Sequence, residues 1–282
     1  MSCQQTILES SSLSGIGLHI GTNINLKVSP RTVGSGIYFK RSDITCNNLI
    51  EAKYFNVQNT SFCTEIVNSF GINIMTIEHL MAAIWGLGID NILVEVDGPE
   101  IPAMDGSSKC FIELLQKCGI VQQRQQRKSI KIINKVSISD GEKHITLEQD
   151  DKFSVNFSID FQHSSIGKQD IVYNEVEDFA KTISEARTFG FINEIKYLKT
   201  RGLAKGASLN NAIGLDEDGI LNPGGLRLKN EFVKHKVLDC IGDLYLAGHR
   251  IIGKVVAYKA GHTMNNKLLH KLFSKPGHYK IV

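Results

Sequence analysis

One order of elements occurs twice in the chain, and this repetition limits the folds that the chain can adopt. A helix-like segment that contains His79 ends at glycine and continues into the strand-like text GLGIDNILVEV. A slightly longer helix-like segment that contains His235 continues in the same way through LAGHRIIGKVVAY. We interpret the repetition as an internal duplication, in which each half of the chain supplies one face of a shared cleft.

Strand-like text precedes helix-like text in the N-terminal half. In TNINLKVSP, the apolar residues Ile24, Leu26 and Val28 alternate with polar ones, which is typical of a half-buried strand. SGIYFKR and NILVEVDG predict further strands, and DGSSKCFIELLQKCG predicts a helix because Ser and Asp precede it and glycine ends it. We interpret residues 76–87 as an amphipathic helix, and the basic run QQRQQRK at 122–128 as a solvated linker.

The C-terminal half also places most of its strands ahead of its helices. Strands are predicted in KSIKIINKVSIS, KHITLEQD, FSVNFSIDF, QDIVYNE and RIIGKVVAYKAG. Helices are predicted around 175–183, 192–200 and 229–246, and in the terminal text TMNNKLLHKLFSK. Since strands cluster ahead of helices in each half, the pattern favours an α+β fold over alternating βαβ units.

Length and charge exclude several classes of protein. A chain of 282 residues can bury a large core and suits two modest domains. The net charge of +3 comes from interspersed positive and negative residues, so we expect no nucleic-acid partner. No run approaches the roughly 18 apolar residues of a membrane span, so we expect no integral membrane segment. The first ten residues lack a secretory signal, and the six cysteines form no CxxC pair, so we expect reduced thiols and a cytoplasmic location.

A candidate metal site lies in the second helix. His235, Asp239 and Asp243 are spaced four residues apart, which places them on one helix face. An imidazole and a carboxylate at i and i+4 can reach one ion, and catalytic zinc usually takes three protein ligands. His79 is the leading candidate for the third ligand, and Glu78 beside it is then placed to act as a general base. The alternative is that these side chains cap or pack their helices.

Several long motifs carry a resemblance to a known family. The chain closely resembles the zinc-dependent UDP-3-O-acyl-N-acetylglucosamine deacetylases of lipid A biosynthesis, from SGIGLHIG to the terminal helix. The motifs are TIEHLMAAIWGLGIDNILVEVDGPEIPAMDGSS, ARTFGF, RGLAKGAS, FVKHKVLDCIGDLYLAGHRIIG and AYKAGHTMNNKLL. The resemblance implies two similar α+β domains, each with helices layered on a mainly antiparallel sheet, and an active site between them. We expect these domains at 1–124 and 129–282, with inserts at about 34–60 and 192–215.

The resemblance also implies roles for individual residues. The zinc ligands would be His79, His235 and Asp239, and the general base would be Glu78. Four more residues would serve catalysis by holding protons, charge or the tetrahedral intermediate: His262, its orienting partner Asp243, Thr188 and Lys236. Whether Glu78 alone or a Glu78 and His262 pair handles the protons stays open.

Further residues are assigned to substrate binding. By resemblance, Phe189 and the segment 192–208 build an apolar passage for the acyl chain, and Lys259 meets the phosphates of the nucleotide. Ile195 and Ser208 lie in that segment, with a plain core role as the alternative for Ile195. His19, in GLHIG, is assigned to the substrate cleft, with a structural role as its alternative.

The expected activity is zinc-dependent removal of acetate from UDP-3-O-acyl-N-acetylglucosamine in the cytoplasm of a Gram-negative bacterium. The substrate would be a small molecule, and a monomer is favoured. One rival interpretation is a metallohydrolase that acts on a different amide, and another is a non-catalytic binder of nucleotide sugars. A site of two histidines and one aspartate is also compatible with Fe²⁺ or Co²⁺.

Overall fold

A computed structural model describes residues 2–282, which form strands and helices along the whole of this range. The strands of the N-terminal half are β1 (Cys3–Ile7), β2 (Ser11–Ile16), β3 (Asn23–Pro30), β4 (Ile37–Arg41), β5 (Leu49–Glu51), β6 (Val57–Asn59), β7 (Glu65–Val67), β8 (Asn73–Ile74), β9 (Ile92–Val96) and β10 (Ile120–Gln126). The strands that follow are β11 (Ser129–Ile132), β12 (Val136–Asp140), β13 (Lys143–Glu148), β14 (Ser154–Asp160), β15 (Lys168–Asn174), β16 (Phe189–Phe191), β17 (Ile213–Leu215), β18 (Arg250–Ile252), β19 (Lys254–Tyr258) and β20 (Tyr279–Ile281). The α-helices are α1 (Glu78–Gly86), α2 (Lys109–Lys117), α3 (Phe179–Thr182), α4 (Ile192–Thr200), α5 (Glu231–Tyr245) and α6 (His262–Phe273).

Two five-stranded sheets share one topology. The first has the order β2-β3-β9-β4-β5, and the second has the order β12-β13-β19-β14-β15. In each sheet the only parallel pair among the described residues joins the central strand to one neighbour, β9 with β4 and β19 with β14. The predicted α+β class, with mainly antiparallel sheets, is therefore confirmed. The domain limits 1–124 and 129–282, and the insert limits, stay predictions.

The run at 122–128 was predicted as a solvated linker, but most of it forms a strand. Most of this run belongs to β10, which pairs antiparallel with β1 from Ile7↔Ile120 to Cys3↔Gln126. Arg127 then binds the carboxylate of Asp90 at 2.8 Å. The strand lacks the alternation of a half-buried strand because a two-stranded ribbon leaves most of its side chains exposed to water.

Helix α1 is not amphipathic, because its residues from Glu78 to Trp85 are all buried. The helix packs against α2, α3 and α5, so no face remains for solvent. A helix enclosed on all sides needs no polar face, and the two polar residues in its first turn therefore require another explanation. The alternation predicted for β3 is confirmed, since Ile24, Leu26 and Val28 are buried.

The text RIIGKVVAYKAG was predicted as one strand but forms two. Strand β18 pairs with β11 in a small sheet, whereas β19 is the central strand of the C-terminal five-stranded sheet. Gly253 separates them, and a Cβ added there would lie 2.6 Å from Ile132 and 2.8 Å from the carbonyl oxygen of Glu148. Glycine is required where the chain passes from one sheet to the other, because a larger residue would clash with these neighbours. Within residues 2–282, no helix combines the length and the apolar character needed to cross a bilayer.

The close approach of α1 and α5 depends on Gly242. A Cβ at this position would lie 2.1 Å from the carbonyl oxygen of Glu78, which is a backbone atom and cannot rotate away. We expect Gly242→Ala to lower the free energy of unfolding by about 2 kcal/mol or more. Overpacking costs about 1–3 kcal/mol or more and outweighs the roughly 1 kcal/mol by which alanine favours a helix. The shift of the denaturation midpoint measures this change.

Gly277→Ala is the matched control for this prediction. A Cβ at Gly277 would have no heavy atom within 4 Å, and the residue does not have positive φ. We expect its unfolding free energy to stay within about 0.5 kcal/mol of the wild type. A Gly242→Ala variant as stable as Gly277→Ala would show that α1 and α5 do not meet as described.

Candidate active site

Two helices, α1 and α5, bring the predicted metal ligands and Glu78 together. Glu78 and His79 open α1, and His235 and Asp239 lie one turn apart on α5. Since α1 and α5 come from different halves of the chain, their contact joins residues that are about 160 positions apart in the sequence. The polar first turn of α1 is thereby explained, because it faces a second polar helix surface.

Three potential metal ligands converge on one point. Ligand atoms of His79, His235 and Asp239 lie within 4.8 Å of one another, and all three residues are buried. The Oδ1 atom of Asp239 is 3.4 Å from Nε2 of His79 and 3.3 Å from Nε2 of His235. The two imidazole rings are nearly perpendicular, with their centroids 5.0 Å apart. This arrangement gives three inward-facing donor atoms on a rigid helix pair.

The protonation states of His235 and Asp239 suit the binding of a cation. The Nδ1 atom of His235 lies 3.2 Å from the carbonyl oxygen of Ala186, to which it can donate, so Nε2 keeps its lone pair. Burial lowers the pKa of His235 to about 3, so this imidazole is neutral at pH 7. Burial alone would raise the pKa of Asp239, but His235 and Lys236 hold it well below its usual range. The Oδ1 atom of Asp239 is buried without a hydrogen-bond partner, which is unfavourable unless a cation lies there.

A second group of polar residues adjoins the three ligands. One carboxylate oxygen of Glu78 is 3.9 Å from Nε2 of His262, too long for a hydrogen bond but close enough for both to contact one small reactant. Nδ1 of His262 lies 2.8 Å from Oδ2 of Asp243. The predicted pairing of Asp243 with His262 is thus present as a contact. The geometry matches a base and an acid arranged around a reacting group.

The charge states of Glu78 and His262 follow from their surroundings. Burial raises the pKa of Glu78, and the nearby imidazoles of His262 and His79 partly oppose this effect. Burial acts to lower the pKa of His262, but the negative charge of Asp243 and its hydrogen bond outweigh burial and raise this pKa to about 10. His262 is therefore a cation at neutral pH.

Lys236 and Phe189 border the ligands. The ammonium of Lys236 binds Oδ2 of Asp239 at 2.8 Å and lies 5.5 Å from the centre of the Phe189 ring. The same ring is 6.2 Å from the imidazole of His235. Lys236 thus neutralises the outer oxygen of Asp239, whereas Phe189 closes the apolar side of the site.

Thr188 directly precedes Phe189, and its main chain is held by two hydrogen bonds. Its N–H donates to the carbonyl oxygen of Gly106, and its own carbonyl accepts from Ile213. The preceding Arg187 forms a buried ion pair of 2.8 Å with Glu231 at the start of α5. This pair fixes residues 186–189 against α5 and sets the position of Thr188 beside Phe189.

The other predicted substrate residues make their contacts with residues other than the three buried ligands. Lys259 forms ion pairs with Glu142 at 2.8 Å and Asp160 at 3.4 Å. Ile195 packs on β16 near Gly190, and Ser208 accepts a hydrogen bond from the main chain of Asn210. The imidazole of His19 is buried, and neither of its nitrogens has a hydrogen-bond partner.

Sequence reasoning missed two residues at the site. Thr64 donates to Asp243 from its hydroxyl and to Glu78 from its backbone N–H. Asn265 donates to Oδ2 of Asp243 at 2.8 Å. The spacing of three residues between His262 and Asn265 on one helix is a signal that could have identified Asn265. No periodicity points to Thr64, which lies in a loop before β7.

Comparison with known proteins gives a consistent result along nearly the whole chain. The family model described as "LpxC: UDP-3-O-acyl N-acetylglycosamine deacetylase" matches residues 4–274. The UDP-3-O-acyl-N-acetylglucosamine deacetylases of Shewanella baltica (strain OS155) and Shewanella frigidimarina are each 47% identical to this chain over 282 residues. Each alignment covers 99% of this chain and 92% of the relative. The protein of the same description from Shewanella oneidensis is 46% identical over the same length.

Proposed function

Because the chain belongs to the UDP-3-O-acyl-N-acetylglucosamine deacetylase family, we propose that it is a zinc-dependent hydrolase of UDP-3-O-acyl-N-acetylglucosamine. The reaction breaks the C–N bond of the N-acetyl group and adds water across it, which releases acetate and UDP-3-O-acyl-glucosamine. The single observation that carries this proposal is the convergence of His79, His235 and Asp239 around an unsatisfied buried carboxylate oxygen.

The three ligands suit zinc by number and type. Catalytic zinc sites use three nitrogen or oxygen ligands from the protein and leave a further position open. Bound zinc would polarise the amide carbonyl and make water a stronger nucleophile near neutral pH. The hydrogen bond from His235 to Ala186 and the ion pair between Asp239 and Lys236 hold two of the ligands in place.

Glu78 is the proposed general base. The attacking water must lose a proton, and Glu78 lies beside the ligand His79 at the start of α1. Its Oε2 atom accepts from the N–H of Thr64 at 3.0 Å, which leaves Oε1 available on the side of His262. A carboxylate whose pKa is raised by burial is a stronger base and suits proton transfer at neutral pH.

His262 is the proposed stabiliser of the charge that develops on the amide oxygen. As a cation held by Asp243, it offers an N–H donor from Nε2 without reorganisation during the reaction. Thr188 is a further proposed donor to the tetrahedral intermediate. The leaving amine requires a proton, which either Glu78 or His262 can supply.

The rest of the substrate is assigned to the surrounding side chains. Phe189 and Ile195 would contact the acyl chain, and Lys259 would contact the phosphates after exchanging its carboxylate partners. Ser208 and His19 complete the proposed substrate contacts. We place the reaction in lipid A biosynthesis and in the cytoplasm, which agrees with six free cysteines.

Acetate release by the purified protein tests the proposed function. The enzyme is assayed on UDP-3-O-acyl-N-acetylglucosamine before and after treatment with a chelator, and metal content is measured in parallel. We expect loss of activity on chelation and recovery with stoichiometric Zn²⁺ but not with Mg²⁺. Full activity in protein with no bound metal would refute the zinc-dependent mechanism. Binding of the substrate without acetate release would instead favour a non-catalytic binder.

His262→Ala is expected to lower kcat by about 10²- to 10³-fold. The variant removes one preorganised cationic donor, and such donors typically contribute this much to the rate. Metal content should stay at the wild-type level, because the polar contacts of His262 are with Asp243, Glu78 and Thr64 rather than with the three ligands. Steady-state kinetics and metal analysis of the purified variant check both parts.

His270→Ala is the matched control. His270 lies on the same helix α6, is exposed, and contacts the ring of Tyr54 instead of the site. Its kcat should stay within about twofold of the wild type. An equal loss in both variants would assign the effect to the stability of α6 and not to His262.

A further inference from the structure

The geometry points to Thr64 as a positioning residue that holds the proposed base and the proposed cationic donor at a fixed separation. The inference rests on the proposed function, since it concerns the same site. Thr64 lies in the loop before β7, contributed by the N-terminal half, and its exposed fraction is 2%. Its hydroxyl and its backbone N–H are already engaged by Asp243 and Glu78, so it acts through these neighbours rather than on the substrate.

The hydroxyl of Thr64 fixes the carboxylate of Asp243. Its Oγ1 atom donates to Oδ1 of Asp243 at 2.5 Å, whereas Asn265 donates to Oδ2 of Asp243 at 2.8 Å. Oδ2 also contacts Nδ1 of His262 at 2.8 Å. With each oxygen held by its own donor, the carboxylate cannot turn about its broad terminal torsion, and the imidazole keeps one orientation.

The main chain of Thr64 fixes the other half of the pair. Its N–H donates to Oε2 of Glu78 at 3.0 Å, and its carbonyl oxygen accepts from the N–H of Ile77 at 3.4 Å. One residue therefore holds the first turn of α1 and the carboxylate on α5 at the same time. The 3.9 Å separation between Glu78 and His262 depends on this shared anchor.

No other donor replaces the hydroxyl if it is removed. Oδ1 of Asp243 has Thr64 as its only hydrogen-bond partner among residues 2–282. Thr64→Val keeps the shape of the side chain but leaves this buried oxygen unsatisfied, so the carboxylate turns to find another partner. A hydrogen bond to a charged group contributes enough that we expect kcat to fall by about 10- to 100-fold.

The test compares Thr64→Val, Thr64→Ser and the wild type by kcat, KM, metal content and melting temperature. Serine retains the hydroxyl, so Thr64→Ser should recover kcat to within about threefold of the wild type. KM should change by less than about threefold in both variants, because Thr64 does not contact the substrate. The matched control is Thr6→Val in β1, which removes a buried hydroxyl that donates to the carbonyl oxygen of Asn91 and should leave kcat unchanged.

A double-mutant cycle with Asp243→Ala separates positioning from general stability. If Thr64 acts through Asp243, then Thr64→Val should have almost no further effect on kcat once that carboxylate is absent. Independent, multiplicative losses would overturn the inference. So would wild-type kcat in Thr64→Val, a loss in Thr64→Ser equal to that in Thr64→Val, or a Thr64→Val protein that unfolds or loses its metal.

The same experiment distinguishes failure of this inference from failure of the proposed function. Wild-type protein that releases no acetate would refute the proposed function, and the role of Thr64 would fall with it. Active wild-type protein with an unaffected Thr64→Val variant would refute the role of Thr64 alone.

Discussion

Asp239→Ala should abolish stoichiometric metal binding and lower kcat by about 10³-fold or more. The variant removes the one anionic ligand of the proposed site and leaves only the imidazoles of His79 and His235. The metal contributes several kcal/mol by stabilising charge in the transition state, so its loss accounts for a reduction of this size. Metal analysis after gel filtration and initial rates of acetate release measure the two effects.

Cys240→Ala provides the matched control for this loss. Cys240 adjoins Asp239 on α5 and is fully buried, and burial raises the pKa of its thiol well above the usual value. A thiol that stays protonated is not a metal ligand. The control variant should therefore bind metal as the wild type does. An Asp239→Ala protein that retains one zinc per chain would remove Asp239 from the ligand set.

Glu78→Gln should lower kcat by about 10²- to 10⁴-fold while metal content stays at the wild-type level. The amide has the shape of the carboxylate and can still accept from the N–H of Thr64 through its oxygen. It cannot take a proton from water, and general-base catalysis typically contributes a factor of this size. We expect KM to change by less than about threefold, because the change affects the transition state more than substrate binding.

Glu113→Gln makes the same chemical change at an exposed position on α2 and should leave kcat unaffected. A Glu78→Gln variant with wild-type kcat would assign the base to another residue. A variant that loses its metal along with its activity would instead make Glu78 a support for the ligands. Comparison with His262→Ala then separates the base from the charge stabiliser, since both variants should keep the metal.

Much of the candidate site could be predicted from the sequence because its residues lie in regular elements. His235, Asp239 and Asp243 share a helix face by their spacing, and the structure places all three at one buried surface. The proximity of Glu78 to His79 follows from adjacency in the chain. The resemblance of long motifs supplied the pairing of the two helices, which spacing alone could not provide.

Errors arose where local pattern and tertiary environment disagreed. The run at 122–128 is polar on both faces, so it predicted a linker, yet most of it pairs with β1 as a strand. Helix α1 was expected to be amphipathic, yet its neighbours enclose it. Hydrogen bonding along the backbone and burial by distant segments do not depend on local periodicity, so neither outcome was visible in the sequence.

The sequence by itself determined the α+β class, the alternation of the main strands and the ligand-bearing helix face, because these follow from residue spacing within one element. Only the tertiary structure decided that α1 meets α5 at Gly242, that the two sheets share one topology, and that a loop threonine contacts both Glu78 and Asp243. Contacts between segments far apart in the chain depend on how whole elements pack, and packing is a property of the assembled core rather than of any local stretch of sequence.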